Sequence, residues 1–309
     1  MALKKKQLIF MIKSTSLLLT ATRNLAGKKE KLVYLLDNLL MAVIQAEVSE
    51  CDKETFLNQF NSINKRCLTD PSQETRDHLL RGIAPRILGI VADVNIGLGI
   101  RHSLLSGFNL GLTKVPIKLR TEVFRELSRE FEGIVDSVYS CGDFDMQASL
   151  LEFLLDFTTK TIRSEVSNYW FPNYVKVQSV FIGSKGLKAD YRRFLNLFNE
   201  GLAEKSKVFS YRLLSCVVEG QALISPADMT DFWIDVNLGS ESLSLYYSVK
   251  DRQVCILSLI DCFDFQRLHL GLWLEYLDTR EGGCEEDSAD VEPRKLVPED
   301  LLFQGSGGS

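Results

Sequence analysis

A change of hydrophobic period most constrains what this chain can fold into. From residue 3 to about residue 225 the apolar residues recur at the three- and four-residue spacing of helices. Val123, Phe124, Leu127, Phe131, Ile134, Val135 and Val138 share one helical face. Leu79, Leu80, Ile83, Ile87, Ile90, Val91 and Val94 form a second stripe, and Leu150, Leu151, Phe153, Leu154 and Phe157 a third. Tyr191, Phe194, Leu195, Phe198 and Leu202 form a fourth. Leu32, Leu35, Leu36, Leu39, Leu40, Val43 and Ile44 make a wider stripe, as a helix covered on more than one side requires. Asp70-Pro71-Ser72 reads as a helix start, and Lys114-Val115-Pro116, Cys141-Gly142-Asp143 and Ile182-Gly183-Ser184 read as turns. The spacing of these breaks predicts helices of about 12–18 residues on short loops, with no strand between them. Successive striped helices must stack on one another. An α-solenoid is one solution, and without a clean internal repeat a globular bundle remains open.

The period changes after Ser225-Pro226. Phe232, Ile234 and Val236 alternate with Trp233 and Asp235, then Leu243, Leu245, Tyr247 and Val249 alternate with Ser244, Tyr246 and Ser248. Two strands joined by a turn at Asn237-Leu238-Gly239-Ser240 follow. Val254–Ile260 and Leu268–Tyr276 are two further candidate strands. The expected organisation is a mainly α chain: a helical domain over 1–226, a small, incomplete β-rich domain over 229–277, and a disordered acidic tail over 278–309. The last residues, Leu302 to Ser309, resemble a protease-site remnant with a Gly/Ser linker and carry no weight in the fold.

Charge is divided along the chain. The first 29 residues hold seven Lys/Arg and no acid, whereas residues 275–300 hold ten acids against three bases. A net charge of −5 gives no basic field over the whole molecule, so nucleic-acid binding has no general electrostatic basis here. Lys4-Lys5-Lys6 followed by Leu8–Ile12 imitates a secretory leader, but Lys13 ends the apolar run too early for a leader or a membrane span. A helix beginning near residue 3 is the simpler reading. The seven cysteines are scattered and include no CxxC, which suits reduced thiols better than disulfides or zinc.

No catalytic constellation emerges. Gly97-Leu98-Gly99 has His102 where a dinucleotide fingerprint needs its third glycine, so these glycines read as helix-packing residues. Gly27-Lys28-Lys29 lacks the rest of a phosphate-binding loop and reads as a turn. His78, His102 and His269 have no partnered nucleophile in any recognisable motif and are expected to be exposed or capping. Asp143 and Asp145 lack the other ligands of a calcium loop, and one of them is expected to cap the next helix. Lys185, Lys188, Arg192 and Arg193 form a modest basic cluster, read chiefly as a solvated helix face and secondarily as a contact patch for an acidic partner. The expectation is therefore no catalytic, cofactor or metal site, with the partner-binding residues unknown.

Several separated segments resemble the synaptonemal complex protein 2 family, which includes the 2-like paralogue. FWIDVNLGSESLSLYY (Phe232–Tyr247) is similar to that family's entry into its second domain. CGDFDMQASLLEFLLDFTT (Cys141–Thr159) and DYRRFLNLFNEGLAEKSKVFSY (Asp190–Tyr211) are similar to its helical signatures, and Ile83–Leu105 fits more loosely. The resemblance covers roughly residues 30–249 and stops at Val249. It implies an armadillo-repeat-like helical domain followed by a domain of the Spt16-middle, pleckstrin-homology type. It implies a non-catalytic scaffold in the lateral element of the meiotic chromosome axis, recruiting axis or centromere proteins in the nucleus. Direct DNA or histone contact is the alternative, motivated by the basic start and by Arg192-Arg193. No membrane, small-molecule substrate or cofactor is implied.

Overall fold

The computed structural model describes residues 5–21, 29–46, 48–70, 72–218, 221–222, 232–245, 247–249, 252–254, 273–277 and 294–295. Among these residues eleven α-helices come first: α1 (Lys5–Ala21), α2 (Lys29–Ile44), α3 (Glu50–Leu68), α4 (Gln73–Ala92), α5 (Leu98–Leu112), α6 (Ile117–Glu126), α7 (Ser128–Ser140), α8 (Phe144–Phe157), α9 (Lys160–Trp170), α10 (Val175–Gly183) and α11 (Lys188–Leu202). Eight strands follow: β1 (Val208–Val218), β2 (Gln221–Ala222), β3 (Phe232–Asn237), β4 (Ser242–Leu245), β5 (Tyr247–Val249), β6 (Arg252–Val254), β7 (Trp273–Leu277) and β8 (Arg294–Lys295). The fold is a helical domain followed by a small β region. The chain clusters into two compact units, Met1–Cys141 with Asp145–Phe194, and Gly142–Phe144 with Leu195–Ser309.

The helix starts follow from capping chemistry. The Ser72 hydroxyl accepts the Thr75 amide at 3.2 Å, and the Asp70 carboxylate accepts the Ser72 amide at 2.9 Å. Ser49 and Thr159 cap α3 and α9 in the same way. Each cap satisfies an amide that the first helical turn leaves without a partner, a contribution of about 1 kcal/mol.

Within the first unit, helices pack on partners close in sequence: α1 on α2, α2 on α4, α3 on α5, α4 on α7 and α9 on α10. This is the pairing order of stacked helical hairpins. α3 packs closely on α5. Gly107 and Gly111 lie one turn apart on the side of α5 that meets α3. A methyl at Gly107 would land on the Asn61 side chain, and one at Gly111 would stand 2.9 Å from Leu68 Cδ1. The bare glycine face lets the Asn61 amide donate to the Ser103 carbonyl at 2.8 Å. Phe131 centres the aromatic core, with the rings of Phe124, Phe153 and Phe157 at 4.8, 5.2 and 5.2 Å. Ion pairs tie the helix surfaces together. Arg81 on α4 engages Asp77, Glu122 and Glu126, and Arg86 meets Asp37 at 2.6 Å.

Three expectations require correction. Helix does not continue to residue 225: α11 ends at Leu202, and Val208–Val218 is a strand. The stripe over 123–138 is not one helix, because Leu127 leaves helical geometry (φ −107°, ψ 27°) and separates α6 from α7. Val94, placed on the α4 stripe, lies beyond the helix end at Ala92 and is exposed.

The described strands make a six-stranded sheet in the order β4-β3-β1-β7-β8, with β2 beside β1, and a separate β5–β6 ladder. β1 sits between β3 and β7 and pairs antiparallel with both. A strand with neighbours on each side gains its register from residues distant in sequence, which explains why local periodicity missed it. The predicted hairpin is present, with Asn237 opposite Ser242 and Ile234 opposite Leu245. β7 overlaps the candidate strand Leu268–Tyr276; of Val254–Ile260 only Val254, the last residue of β6, is described. β8 falls in the stretch expected to be disordered, while residues 278–293 and 296–309 lie outside the described residues.

Candidate functional site

Three polar arrangements are candidates for function. The first joins the loop before α8 to the β3–β4 turn, all within the second unit. Asn237, 1% exposed, accepts the Phe144 amide on Oδ1 at 2.9 Å, and its Nδ2 donates to Ser244 Oγ at 3.0 Å. The Ser240 hydroxyl donates to Asp143 Oδ2 at 2.6 Å, and the Gly239 amide donates to the Gly142 carbonyl at 2.7 Å. Gly142 adopts φ +64°, and a Cβ there would stand 2.8 Å from the Gly239 nitrogen. Only glycine allows both the left-handed turn and that approach. Asp143 is thus bonded to Ser240 across the turn, and the first amide of α8 is received by Asn237 from β3. Two of the segments that carried the family resemblance, Cys141–Thr159 and Phe232–Tyr247, meet here.

The second is a polar seam between α5 and α8. His102, Ser106 and Asn109 lie at helical spacing on α5, opposite Ser149 and Glu152 on α8. His102 Nε2 is 3.0 Å from Ser149 Oγ, and Asn109 Nδ2 donates to the Ser149 carbonyl at 2.9 Å and to Glu152 Oε2 at 3.1 Å. Arg120 closes the seam on Asp156 at 2.6 Å. Burial holds the Glu152 carboxyl above the usual carboxylate range, against the pull of the Asn109 donor. Burial and the charges of Glu152, Asp156 and Asp190 raise the Tyr191 phenol. His102 is therefore half-buried and partnered rather than exposed. A histidine and a serine in contact are two parts of an acyl-transfer site. Here, however, the serine lies within a helix–helix contact, with its hydroxyl 3.4 Å from that of Ser106 as well. The arrangement fixes the register of two helices.

The third is the loop between α10 and α11, which holds the predicted basic cluster. Asp190 Oδ2 accepts the amides of Lys185 at 2.8 Å and Leu187 at 3.4 Å, and Ser184 Oγ accepts that of Gly186 at 3.1 Å. Arg163 Nη2 donates to the Ser184 carbonyl at 3.0 Å from below. Lys185, Lys188 and Arg193 are exposed, and so is Leu187 at 58%. The sequence reading named the bases but missed the leucine among them and the bonds that hold it out.

Other candidates disperse. Gly97 precedes α5 as its cap residue, and a Cβ on Gly99 would meet nothing within 4 Å, so Gly99 is not the packing glycine expected. Gly107 and Gly111 have that role. Of Gly27-Lys28-Lys29, only Lys29 is described, as the first residue of α2. His78 is half-buried on α4, and His269 lies outside the described residues. Cys51, Cys67 and Cys141 are reduced thiols, and burial pushes Cys67 up to about 12, far from a reactive thiolate. Among the described residues, no group of three or more His, Cys, Asp or Glu could hold a metal ion, and no helix is long and apolar enough to cross a membrane.

No family model matches the chain. It is 30% identical over 210 residues to synaptonemal complex protein 2 of Homo sapiens, covering 66% of this chain and 14% of that protein. It is 27% identical over 187 residues to synaptonemal complex protein 2-like of Mus musculus, covering 57% of this chain and 21% of that protein. A solved structure named synaptonemal complex protein superposes with a TM-score of 0.60 at 24% identity, over 71% of this chain and 57% of that one, and so shares the fold. The chain thus spans less than a quarter of the length of these two curated relatives. The resemblance first carried by separated motifs is a similarity along most of the chain, and over 66% of its length this protein is a relative of synaptonemal complex protein 2.

Proposed function

We propose that this chain is a non-catalytic scaffold module of the meiotic chromosome axis, acting in the nucleus to recruit partner proteins to synaptonemal complex lateral elements or centromeres. The observation that carries this reading is the similarity to synaptonemal complex protein 2 over 66% of the chain. The helical stack supports it physically. Rigid helices packed in sequence order present side chains at fixed spacing, which suits protein recognition without chemistry. The polar groups of the α8 loop and of the α5–α8 seam hold helices and turns together. A tagged copy of the chain expressed in prophase spermatocytes should decorate chromosome axes; diffuse nuclear or cytoplasmic signal would count against the proposal.

Direct DNA or histone contact is the second reading. It is favoured by α1, whose Lys6 and Lys13 are exposed on a helix without an acid. Binding of duplex DNA that collapses as salt rises to the physiological range would mark it as counterion-driven and non-specific. DNA binding that persists at physiological salt would favour this reading over the scaffold.

A further inference from the structure

The α10–α11 loop has the properties of a preformed recognition knob. The amides of Lys185, Gly186 and Leu187 are all satisfied inside the loop, by Asp190 and Ser184. Gly186 adopts φ +77°, and a Cβ there would meet only Tyr191 Oη at 3.6 Å, so the glycine is present for the turn and not for packing. The loop is anchored from beneath by Arg163, which donates to the carbonyls of Thr158 at 2.9 Å and Ser184 at 3.0 Å. A segment fixed in this way loses little conformational entropy when it binds. Leu187 stands 58% exposed, flanked by Lys185 and Lys188, with Arg193 exposed farther along α11.

A single exposed leucine is ordinary on a protein surface. An exposed leucine on a rigid loop among bases is a more specific arrangement. Along the segment the charge is positive: residues 183–194 contain four bases and one acid, and that acid, Asp190, is directed at backbone amides, while the nearby Glu152 and Asp156 of α8 are engaged by Asn109 and Arg120. Arg163 adds a guanidinium held by carbonyl oxygens just below. A partner must therefore offer carboxylates around an apolar notch. A nucleic-acid backbone would answer the charges but leave Leu187 against phosphate.

We propose that Ser184–Lys188 is a docking knob for an acidic peptide segment of a partner protein, with Leu187 seated in an apolar notch of that segment and Lys185, Lys188 and Arg193 facing its carboxylates. This deepens the scaffold reading and rests on it for the existence of a protein partner.

The test is to pan short phage-displayed peptides on the full chain at physiological salt. The selected peptides are then titrated against wild type, Leu187→Ser and the double variant Lys185→Glu/Lys188→Glu. The expected result is enrichment of Asp and Glu beside large apolar residues. Affinity should fall about tenfold in Leu187→Ser and by more in the double variant, a size typical of an interface anchor. Thermal melting of both variants should match wild type, which separates lost contact from lost fold. Selection without acidic enrichment overturns the proposal, as do variants that bind as wild type does, or short duplex DNA that displaces the peptides from wild type and Leu187→Ser alike. If peptides ignore the loop while the wild-type chain still decorates meiotic axes, the knob fails and the scaffold stands. If peptides bind through the loop and the axes stay bare, the knob stands and the scaffold fails.

Discussion

Two loops in this molecule begin alike and end differently. The Gly142-Asp143 loop before α8 and the Lys185-Gly186 loop before α11 each place a glycine in the left-handed region, at φ +64° and +77°. In the first, the hydrogen bonds run to a β-turn more than ninety residues away: Asp143 to Ser240, Phe144 to Asn237. In the second, the amides of Lys185, Gly186 and Leu187 are met within six residues, Arg163 reaches the loop from 21 residues away, and Lys185 and Leu187 stand exposed. A loop whose bonds are spent on distant elements is part of the framework. A loop that satisfies itself is available for recognition.

The largest effect that tests this contrast belongs to Asn237→Ala. It leaves the buried Phe144 amide without its acceptor and removes a donor from Ser244, and unmet buried groups cost about 1–3 kcal/mol each. Urea unfolding should show a loss of about 3 kcal/mol, the sum of two such deficits. A loss under about 1 kcal/mol would show that the clasp is dispensable.

Next come the two glycines, compared directly. Gly142→Ala meets both an unfavourable φ and the Gly239 backbone at 2.8 Å, whereas Gly186→Ala meets only the unfavourable φ. The second should cost about 1 kcal/mol and the first at least twice that, since backbone cannot move aside as a side chain can. Equal losses in chemical denaturation would erase the distinction between the loops.

A smaller effect tests the seam. Burial raises the folded pKa of Glu152 above its unfolded value, so the folded state binds this proton more tightly. Glu152 therefore costs stability as pH rises from the unfolded carboxylate range through the raised folded value. Glu152→Gln keeps an oxygen for the Asn109 donor and removes the charge. The variant should match wild type at low pH and be modestly more stable at neutral pH, which paired thermal melts at the two pH values would reveal. The smallest effect belongs to Leu187→Ser, whose stability should stay within about 0.5 kcal/mol of wild type.

The helical half was largely legible because its contacts are local. The stripes over 79–91 and 150–157 are buried as their spacing required, and Ser72 caps α4 as the Asp70-Pro71-Ser72 signal indicated. The break at Leu127 was not legible, because the apolar period runs through it without interruption. β1 was missed because the partners of Val208–Val218, β3 and β7, lie well downstream. The clasp was hidden for the same reason. The residue that receives the Phe144 amide lies 93 positions away, beyond the reach of any local signal. The basic cluster was visible in sequence, whereas its leucine required the loop's hydrogen bonds to be seen.

The most direct measurement of the central claim is a pull-down with the full chain from meiotic nuclear extract at low and physiological salt, read by mass spectrometry. Axis or centromere proteins should remain bound at physiological salt. Recovery of DNA and histones alone, and only at low salt, would contradict it.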